Sequence, residues 1–191
     1  LTYWIDAKAE LTATDITPSL SGTRFTIGYA GQRAGVSTSL VVRFNVSNIL
    51  AAAGTMLGLG VPFGAIAESI GSLRPVAGRF EPIASPAGWT VIVDYAHTPD
   101  ALEKTLTAVR EAFTVGTSGR IVTVFGCGGN RDRNKLPEMG RIASSLGDVT
   151  IITSDNPRDE KPEAIIDEIA AGVVQDRETH REPDRAKAIA M

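Results

Sequence analysis

The sequence predicts an α/β fold with a mainly parallel sheet, preceded by a smaller segment in which a strand hairpin leads into two helices. Three observations carry that expectation. After Arg74-Pro75, apolar runs and amphipathic stretches alternate in the order strand, helix, strand, helix, which implies a parallel sheet covered by helices. Val149-Thr150-Ile151-Ile152-Thr153 is almost wholly apolar or β-branched, as a strand buried on both faces should be. Its last residue runs into Asp155-Asn156-Pro157-Arg158, a stiff charged loop at the carboxyl edge where open α/β sheets bind ligands.

Taken in order, the first stretch to about Leu73 is rich in Gly, Ser and Thr. Arg24 to Tyr29 and Ser39 to Phe44 read as two strands of a hairpin. Asn45-Val46-Ser47-Asn48 then opens an Ala/Leu/Met-rich helix to about Leu59, with asparagine as a favoured N-cap. Gly60 and Pro62 stop it, and a second helix follows from Pro62 to Leu73. Arg74-Pro75 is a joint, because the residue before proline is pushed out of helix. The expected domains are therefore 1–73 and 74–191. In the second, Trp89 to Asp94, Arg120 to Phe125 and Val149 to Thr153 are strands. Pro99 to Phe113, Leu136 to Leu146 and Pro162 to Val174 are helices, the first with Leu102, Leu106, Val109 and Phe113 at helical spacing.

Composition excludes several classes. A hydrophobic share of 43% and a charged share of 21% describe an ordinary globular chain. A net charge of -3 argues against a nucleic-acid binder, which carries a basic stripe. No apolar run reaches the length of a membrane span. One cysteine, Cys127, cannot form an internal disulfide and suits a reducing compartment. The N-terminus shows no basic segment followed by an apolar core and no initiator Met, so the chain reads as a piece of a longer one.

Three loops carry candidate chemistry. In Asp94-Tyr95-Ala96-His97-Thr98-Pro99, Asp94 can accept from ribose hydroxyls and His97 can donate to a nucleotide; equally, Asp94 or Thr98 can simply cap the next helix. Phe125-Gly126-Cys127-Gly128-Gly129-Asn130-Arg131-Asp132-Arg133 is a glycine-rich turn. It fails the dinucleotide spacing, since the third glycine position is Arg131. No lysine follows a glycine anywhere, so a phosphate-binding P-loop is absent. Cys127 reads as a packed residue rather than a nucleophile. In the third loop, Asp155 suits an ammonium, and Arg158 offers a planar fork to a carboxylate or phosphate. Arg79, just past the joint, can reach a phosphate or stand as a surface charge.

In this order, Asn45 to Ala52, Arg74 to Glu81, Asp94 to Leu102, Phe125 to Arg133 and Asp155 to Arg158 resemble the Mur ligase family, most strongly its diaminopimelate-adding members. The resemblance spans nearly the whole chain. It implies the end of a central P-loop ATPase domain joined to most of a C-terminal Rossmann-like domain. The P-loop, a carbamylated lysine and the magnesium ligands are expected upstream of Leu1, and a late glycine-lysine-glycine-histidine-glutamate motif beyond Met191. The implied activity is ATP-dependent addition of meso-diaminopimelate to UDP-N-acetylmuramoyl-L-alanyl-D-glutamate, through an acyl phosphate, in bacterial cytoplasmic peptidoglycan synthesis. The implied ATP contacts are Asn48, Arg79, Asp94 and His97; those to diaminopimelate are Arg131, Asp155, Asn156, Pro157 and Arg158. ATP and magnesium serve the complete enzyme, expected to be a monomer, and the piece alone is expected to be inactive, with no catalytic residue or metal ligand of its own.

Arg158 carries the expected choice of amine. Diaminopimelate has a far carboxylate that lysine lacks, and a buried arginine left unpaired by lysine costs about 2–5 kcal/mol. Three positions depart from the family's pattern: Asn130 where an aspartate is frequent, Leu136 in place of an arginine after Lys135, and Val42 where a glycine often precedes Arg43-Phe44-Asn45. A lysine-adding or folylpolyglutamate-type ligase is a second reading, against which Asp155 to Arg158 argues. A noncatalytic module binding a nucleotide or an amino acid is a third.

Overall fold

The computed structural model describes residues 1–19, 21–113 and 119–191, with only the backbone at Phe113. The chain divides into two compact units, Leu1–Tyr95 and Ala96–Met191, about twenty residues beyond the joint read at Arg74.

The first unit is a four-stranded sheet with two helices on one face. Strands β1 (Tyr3–Ile5), β2 (Leu11–Ser19), β3 (Gly22–Tyr29) and β4 (Gln32–Thr38) lie in that order. β1 runs parallel to β2, and the other pairs are antiparallel. Strict alternation puts Leu11, Ala13, Phe25 and Ile27 on the covered face. There they meet Val46, Ile49, Leu50 and Ala53 of α1 (Arg43–Gly58) and Phe63, Ile66 and Ile70 of α2 (Phe63–Ile70).

Two sequence expectations fail in this unit. The return strand of the hairpin is β4, and Ser39 to Phe44 is not a strand. Ala30 and Gly31 both have positive φ, as in the tight turns that close two-residue hairpins, so pairing resumes at once with Tyr29 opposite Gln32. The apolar residues Val41 and Val42 are buried as the chain enters α1 instead. Nor does asparagine cap that helix: Val42 holds the N-cap position without a side-chain bond, and Asn45 Nδ2 donates back to the Val41 carbonyl at 2.8 Å.

Val42 takes φ 70°, ψ 151° while 2% exposed. This backbone region is nearly confined to glycine and costs a β-branched residue about 1–3 kcal/mol, a physical reason for glycine at this point. The expected consequence inverts the usual order of substitutions. Val42→Ala loses buried methyls and keeps the strain, whereas Val42→Gly releases it, so the glycine variant should be the more stable by ~1 kcal/mol. Urea unfolding of both checks this, and a more stable alanine variant would refute it.

β5 (Glu81–Ala84) and β6 (Thr90–Val93) form a separate antiparallel pair. The sequence placed β6 in the parallel sheet; it is bonded to β5 instead, because Ser85 to Gly88 closes a short turn between them.

The second unit holds the parallel sheet. Strands β7 (Val122–Phe125), β8 (Val149–Thr153) and β9 (Thr179–Glu182) lie in that order, all parallel. Four helices accompany them: α3 (Pro99–Phe113), α4 (Lys135–Leu146), α5 (Pro162–Ala170) and α6 (Arg185–Ala190). α5 stops at Ala170, short of the expected Val174. Every residue of β8 is buried. Ile152 faces Leu136, Met139, Ile142, Ile165, Ile166 and Ile169 of α4 and α5, while Val149 and Ile151 meet Ala188 of α6. At the sheet's other end Asp148 Oδ2 accepts the Ile121 N–H at 2.7 Å. That bond, helped by Arg110 and opposed by burial, holds the carboxyl below the usual aspartate range.

Candidate functional site

Because β7 and β8 are adjacent and parallel, the loops at their carboxyl ends must lie side by side. These are the glycine-rich turn and the Asp155 loop, and they are bonded to each other. The Gly129 N–H donates to the Asn156 carbonyl at 2.9 Å. Arg158 Nη1 donates to the Gly129 carbonyl. A Cβ on Gly129 would lie 2.9 Å from the Pro157 carbonyl carbon and closer still to its oxygen. Glycine is thus required for the loops to touch backbone to backbone. Pro157 closes the second loop, its carbonyl accepting the Glu160 N–H at 3.0 Å.

Asn130 and Arg158 both have left-handed backbone, with φ 52° and φ 50°. Asparagine tolerates this region, whereas for Arg158 it costs about 1–2 kcal/mol. The bonds between the loops offset that strain and fix what the loops present. Asp155, Asn156 and Arg158 are exposed at the surface of the second loop, and Arg131 at that of the first. One guanidinium donor of Arg158 is spent on Gly129; the fork has others for a ligand. The expected buried setting of Arg158 is corrected here. Its side chain is exposed, so solvent screens any pairing and the 2–5 kcal/mol scale of a buried charge does not apply.

Glu160 and Glu168, which local sequence offered no reason to single out, complete the arrangement through Arg133, the second arginine of the glycine-rich turn. Arg133 Nη1 pairs with Glu160 Oε2 at 2.6 Å, and its Nε donates to Glu168 Oε2 at 3.0 Å. Glu160 Oε1 also accepts the Asn130 N–H. Only the adjacency of parallel strands brings these residues, 27–35 positions apart, together. The same contacts account for Asn130, whose Nδ2 donates to Asp159 Oδ2 at 3.0 Å. An aspartate there would set a second carboxylate against Asp159. Leu136 is 4% exposed and belongs to the apolar core, so a cation at that position would have to leave it.

The residues expected to hold a nucleotide are divided between the units. In the first, Phe80 links them: its N–H donates to Asp94 Oδ2 at 2.8 Å, and its ring meets Phe44 edge-on at 5.8 Å. Asn48 stands one turn further along α1, exposed, donating to Asn45 Oδ1 at 3.3 Å. The Arg79 guanidinium lies 4.5 Å over the Tyr95 ring, a cation–π contact that orients the arginine. Part of the Asp94 carboxylate is thus engaged in shaping the Phe80 turn. His97 lies in the second unit, where its carbonyl accepts the Lys135 ammonium at 2.9 Å. Among the described residues no group of three or more His, Cys, Asp or Glu could hold a metal ion.

Cys127 is 4% exposed, with its Sγ against Met139 Sδ at 3.6 Å. Burial pushes its thiol from an ordinary 9.0 up to about 11; Lys135 pulls the other way and Asp155 adds slightly. It packs and does not react. Because the thiol is harder to ionise folded than unfolded, its contribution is intact below pH 9 and is lost as pH climbs from 9 toward 11, at about 1.4 kcal/mol per pH unit. Urea unfolding at pH 8 and pH 10.5 should therefore show a larger alkaline loss for the wild type than for Cys127→Ala. Equal losses would contradict the assignment.

Residues 78–191 match the family model described as Mur ligase, glutamate ligase domain. The chain is 46% identical over 172 residues to UDP-N-acetylmuramoyl-L-alanyl-D-glutamate–2,6-diaminopimelate ligase 2 of Clostridium acetobutylicum, covering 90% of the chain and 35% of that protein. With the corresponding ligase of Gloeobacter violaceus it shares 44% over 189 residues, covering 98% and 38%. A solved structure of such a diaminopimelate ligase aligns with a TM-score of 0.66 at 34% identity, over 99% of the chain and 38% of its own. The UDP-N-acetylmuramate-alanine ligase of Thermotoga maritima aligns with 0.71 at 20% identity, over 95% and 39%, a likeness of fold alone. The chain thus spans little more than a third of the length of these relatives. With more than half of its residues inside the family model and its bonded loops on the parallel sheet that the motifs foretold, the chain belongs to the Mur ligase family.

Proposed function

We propose that this chain supplies the amino-acid site, and part of the nucleotide site, of a ligase that uses ATP to join meso-diaminopimelate to UDP-N-acetylmuramoyl-L-alanyl-D-glutamate in bacterial peptidoglycan synthesis. One observation carries the reading. The Asp155 loop and the glycine-rich turn are locked together at the carboxyl ends of adjacent parallel strands, with Arg131, Asp155 and Arg158 at their surface. Two cationic groups and a carboxylate suit a ligand bearing two carboxylates and an ammonium. In this reading Arg158 and Arg131 hold carboxylates, Asp155 receives an ammonium, and Asn156 and Pro157 shape the loop. The division into a nucleotide part, 1–73, and an amino-acid part, 74–191, belongs to the proposal; a family match beginning at residue 78 supports it.

The reaction is two displacements. The terminal phosphoryl group of ATP passes to the glutamate side-chain carboxylate, leaving ADP and an acyl phosphate. The diaminopimelate amine then attacks the acyl carbon; the C–N bond forms, the bond to phosphate oxygen breaks, and the amine gives up a proton. Asn48, Arg79, Asp94 and His97 contact the nucleotide in this scheme, Arg79 near the terminal phosphates, where a cation stabilises transferred charge. Magnesium would be held by residues outside this chain in this proposal and would neutralise phosphate charge there; none of these steps is assigned to it. The complete enzyme acts as a cytoplasmic monomer in this proposal, and among the described residues no helix is long and apolar enough to cross a membrane. Amide-product and ADP release by the full-length ligase, with meso-diaminopimelate and with lysine, tests the reading. Strong preference for diaminopimelate is expected, and equal use of lysine would overturn it.

A further inference from the structure

We propose that Glu160 is a positioning residue that sets the direction of Arg131, a role resting on the functional reading above. Its carboxylate brackets that arginine in sequence and in space. Oε1 accepts the main-chain N–H of Asn130, immediately before Arg131. Oε2 pairs with the guanidinium of Arg133, two residues after it, at 2.6 Å. Asp159, its neighbour, takes the Asn130 amide at 3.0 Å. Glu160 is itself held by its N–H on the Pro157 carbonyl at 3.0 Å, within the loop that carries Arg158. Its side chain is the best shielded of the three ionic partners, 22% exposed against 53% for Arg133 and 34% for Glu168.

The geometry accounts for how an exposed arginine is aimed. Arg131 follows Asn130, whose left-handed backbone is tolerated by asparagine but is only one of its accessible conformations unless it is held. Glu160 holds the N–H of that residue and anchors the chain again at Arg133. The direction of Arg131 is therefore tied to the loop bearing Asp155 and Arg158. Removing the carboxylate releases the Asn130 N–H and one of the two ionic partners of Arg133, which leaves Arg131 chemically intact but less firmly aimed. Arg133 is the opposing half of the device, because it also reaches Glu168 on α5 and fixes the turn to the helix layer.

Steady-state kinetics of the full-length ligase test this with Glu160→Ala, Arg131→Ala and the double variant. Glu160→Ala should raise the KM for meso-diaminopimelate by about tenfold or more, the scale of lost hydrogen bonds to a charged group. The KM for ATP should stay unchanged. In the Arg131→Ala background the same substitution should add less than about twofold, since nothing remains to be aimed. Glu160→Gln keeps an acceptor for Asn130 but turns its amide toward Arg133, so it should fall between wild type and alanine; it takes alanine's place in the cycle if that variant is insoluble. An equal factor in both backgrounds would reduce Glu160 to a structural residue and overturn the proposal, as would an unchanged diaminopimelate KM in folded Glu160→Ala. A wild type that turns over no diaminopimelate would instead overturn the functional reading and this inference with it.

Discussion

Arg158→Ala in the full-length ligase should raise the KM for meso-diaminopimelate by about 3- to 10-fold, the range expected when an exposed charge pair and a hydrogen bond to a carbonyl are lost. Two effects add. The substrate's far carboxylate loses its partner, and the Gly129 carbonyl loses the donor that ties the glycine-rich turn to the second loop. Arg158→Lys separates them. A lysine keeps the charge and can still give one bond to Gly129, but it lacks the planar fork. It should recover loop order and only part of the affinity. Lysine as the incoming amine provides the second axis. Having no far carboxylate, it gains nothing from Arg158, so its poor turnover should change little or improve slightly when the arginine is removed. The exposure of Arg158 keeps the effect within this range and below that of a buried charge. A diaminopimelate KM within twofold of wild type would remove Arg158 from the amino-acid site.

The sequence was readable where structure is local. β8 shows itself because a strand buried on both faces needs an unbroken apolar run, and Asp155 to Arg158 follows it directly. The alternation of strands and helices yields the parallel sheet of the second unit for the same reason. What escaped depends on partners distant in sequence or on backbone geometry. Ser39 to Phe44 is apolar enough for a strand, but the turn at Ala30 and Gly31 commits the return pairing to Gln32–Thr38, whose outward side chains are polar. Asn45 has the chemistry of a cap, yet the cap position lies three residues earlier, where Val42 turns to positive φ. β6 reads as one more strand of the parallel sheet, and only its pairing with β5 reveals the hairpin. At the site, the arginines and carboxylates expected to meet ligand lie in legible motifs. The pairing of Arg133 with Glu160 and Glu168 does not, because no spacing rule connects the loops of neighbouring parallel strands. In the sequence Arg79 could either reach a phosphate or stand as a surface charge; the Tyr95 ring 4.5 Å beneath its guanidinium gives it a direction.

Gly172→Ala should destabilise the second unit by ~3 kcal/mol or more, the upper end of overpacking costs, because the obstacle is backbone. A Cβ there would stand 2.6 Å from Pro137 Cα and closer still to that residue's carbonyl carbon and oxygen. Side chains can rotate out of such a clash; a carbonyl inside a helix cannot do so without moving the helix. The contact is reciprocated three residues along each chain. Gly140, on α4, would place its Cβ 3.0 Å from the Ile169 carbonyl carbon and nearer to the oxygen. α4 and the end of α5 therefore approach backbone to backbone at two points, made possible by two glycines. Once one Cβ has forced the helices apart, the second meets less resistance, so Gly140→Ala/Gly172→Ala should cost clearly less than the sum of the single variants. Urea unfolding of the three variants measures this, and full additivity would mean that the contacts are independent. The consequence reaches the site through Arg133, just before α4, which is tied to Glu168 on α5. Separating the helices stretches that link and loosens the turn that presents Arg131. Gly172→Ala should accordingly raise the diaminopimelate KM of the full-length ligase under conditions where the protein is still folded, with the KM for ATP unaffected. A stable Gly172→Ala protein with wild-type kinetics would show that α4 and α5 do not need this close approach.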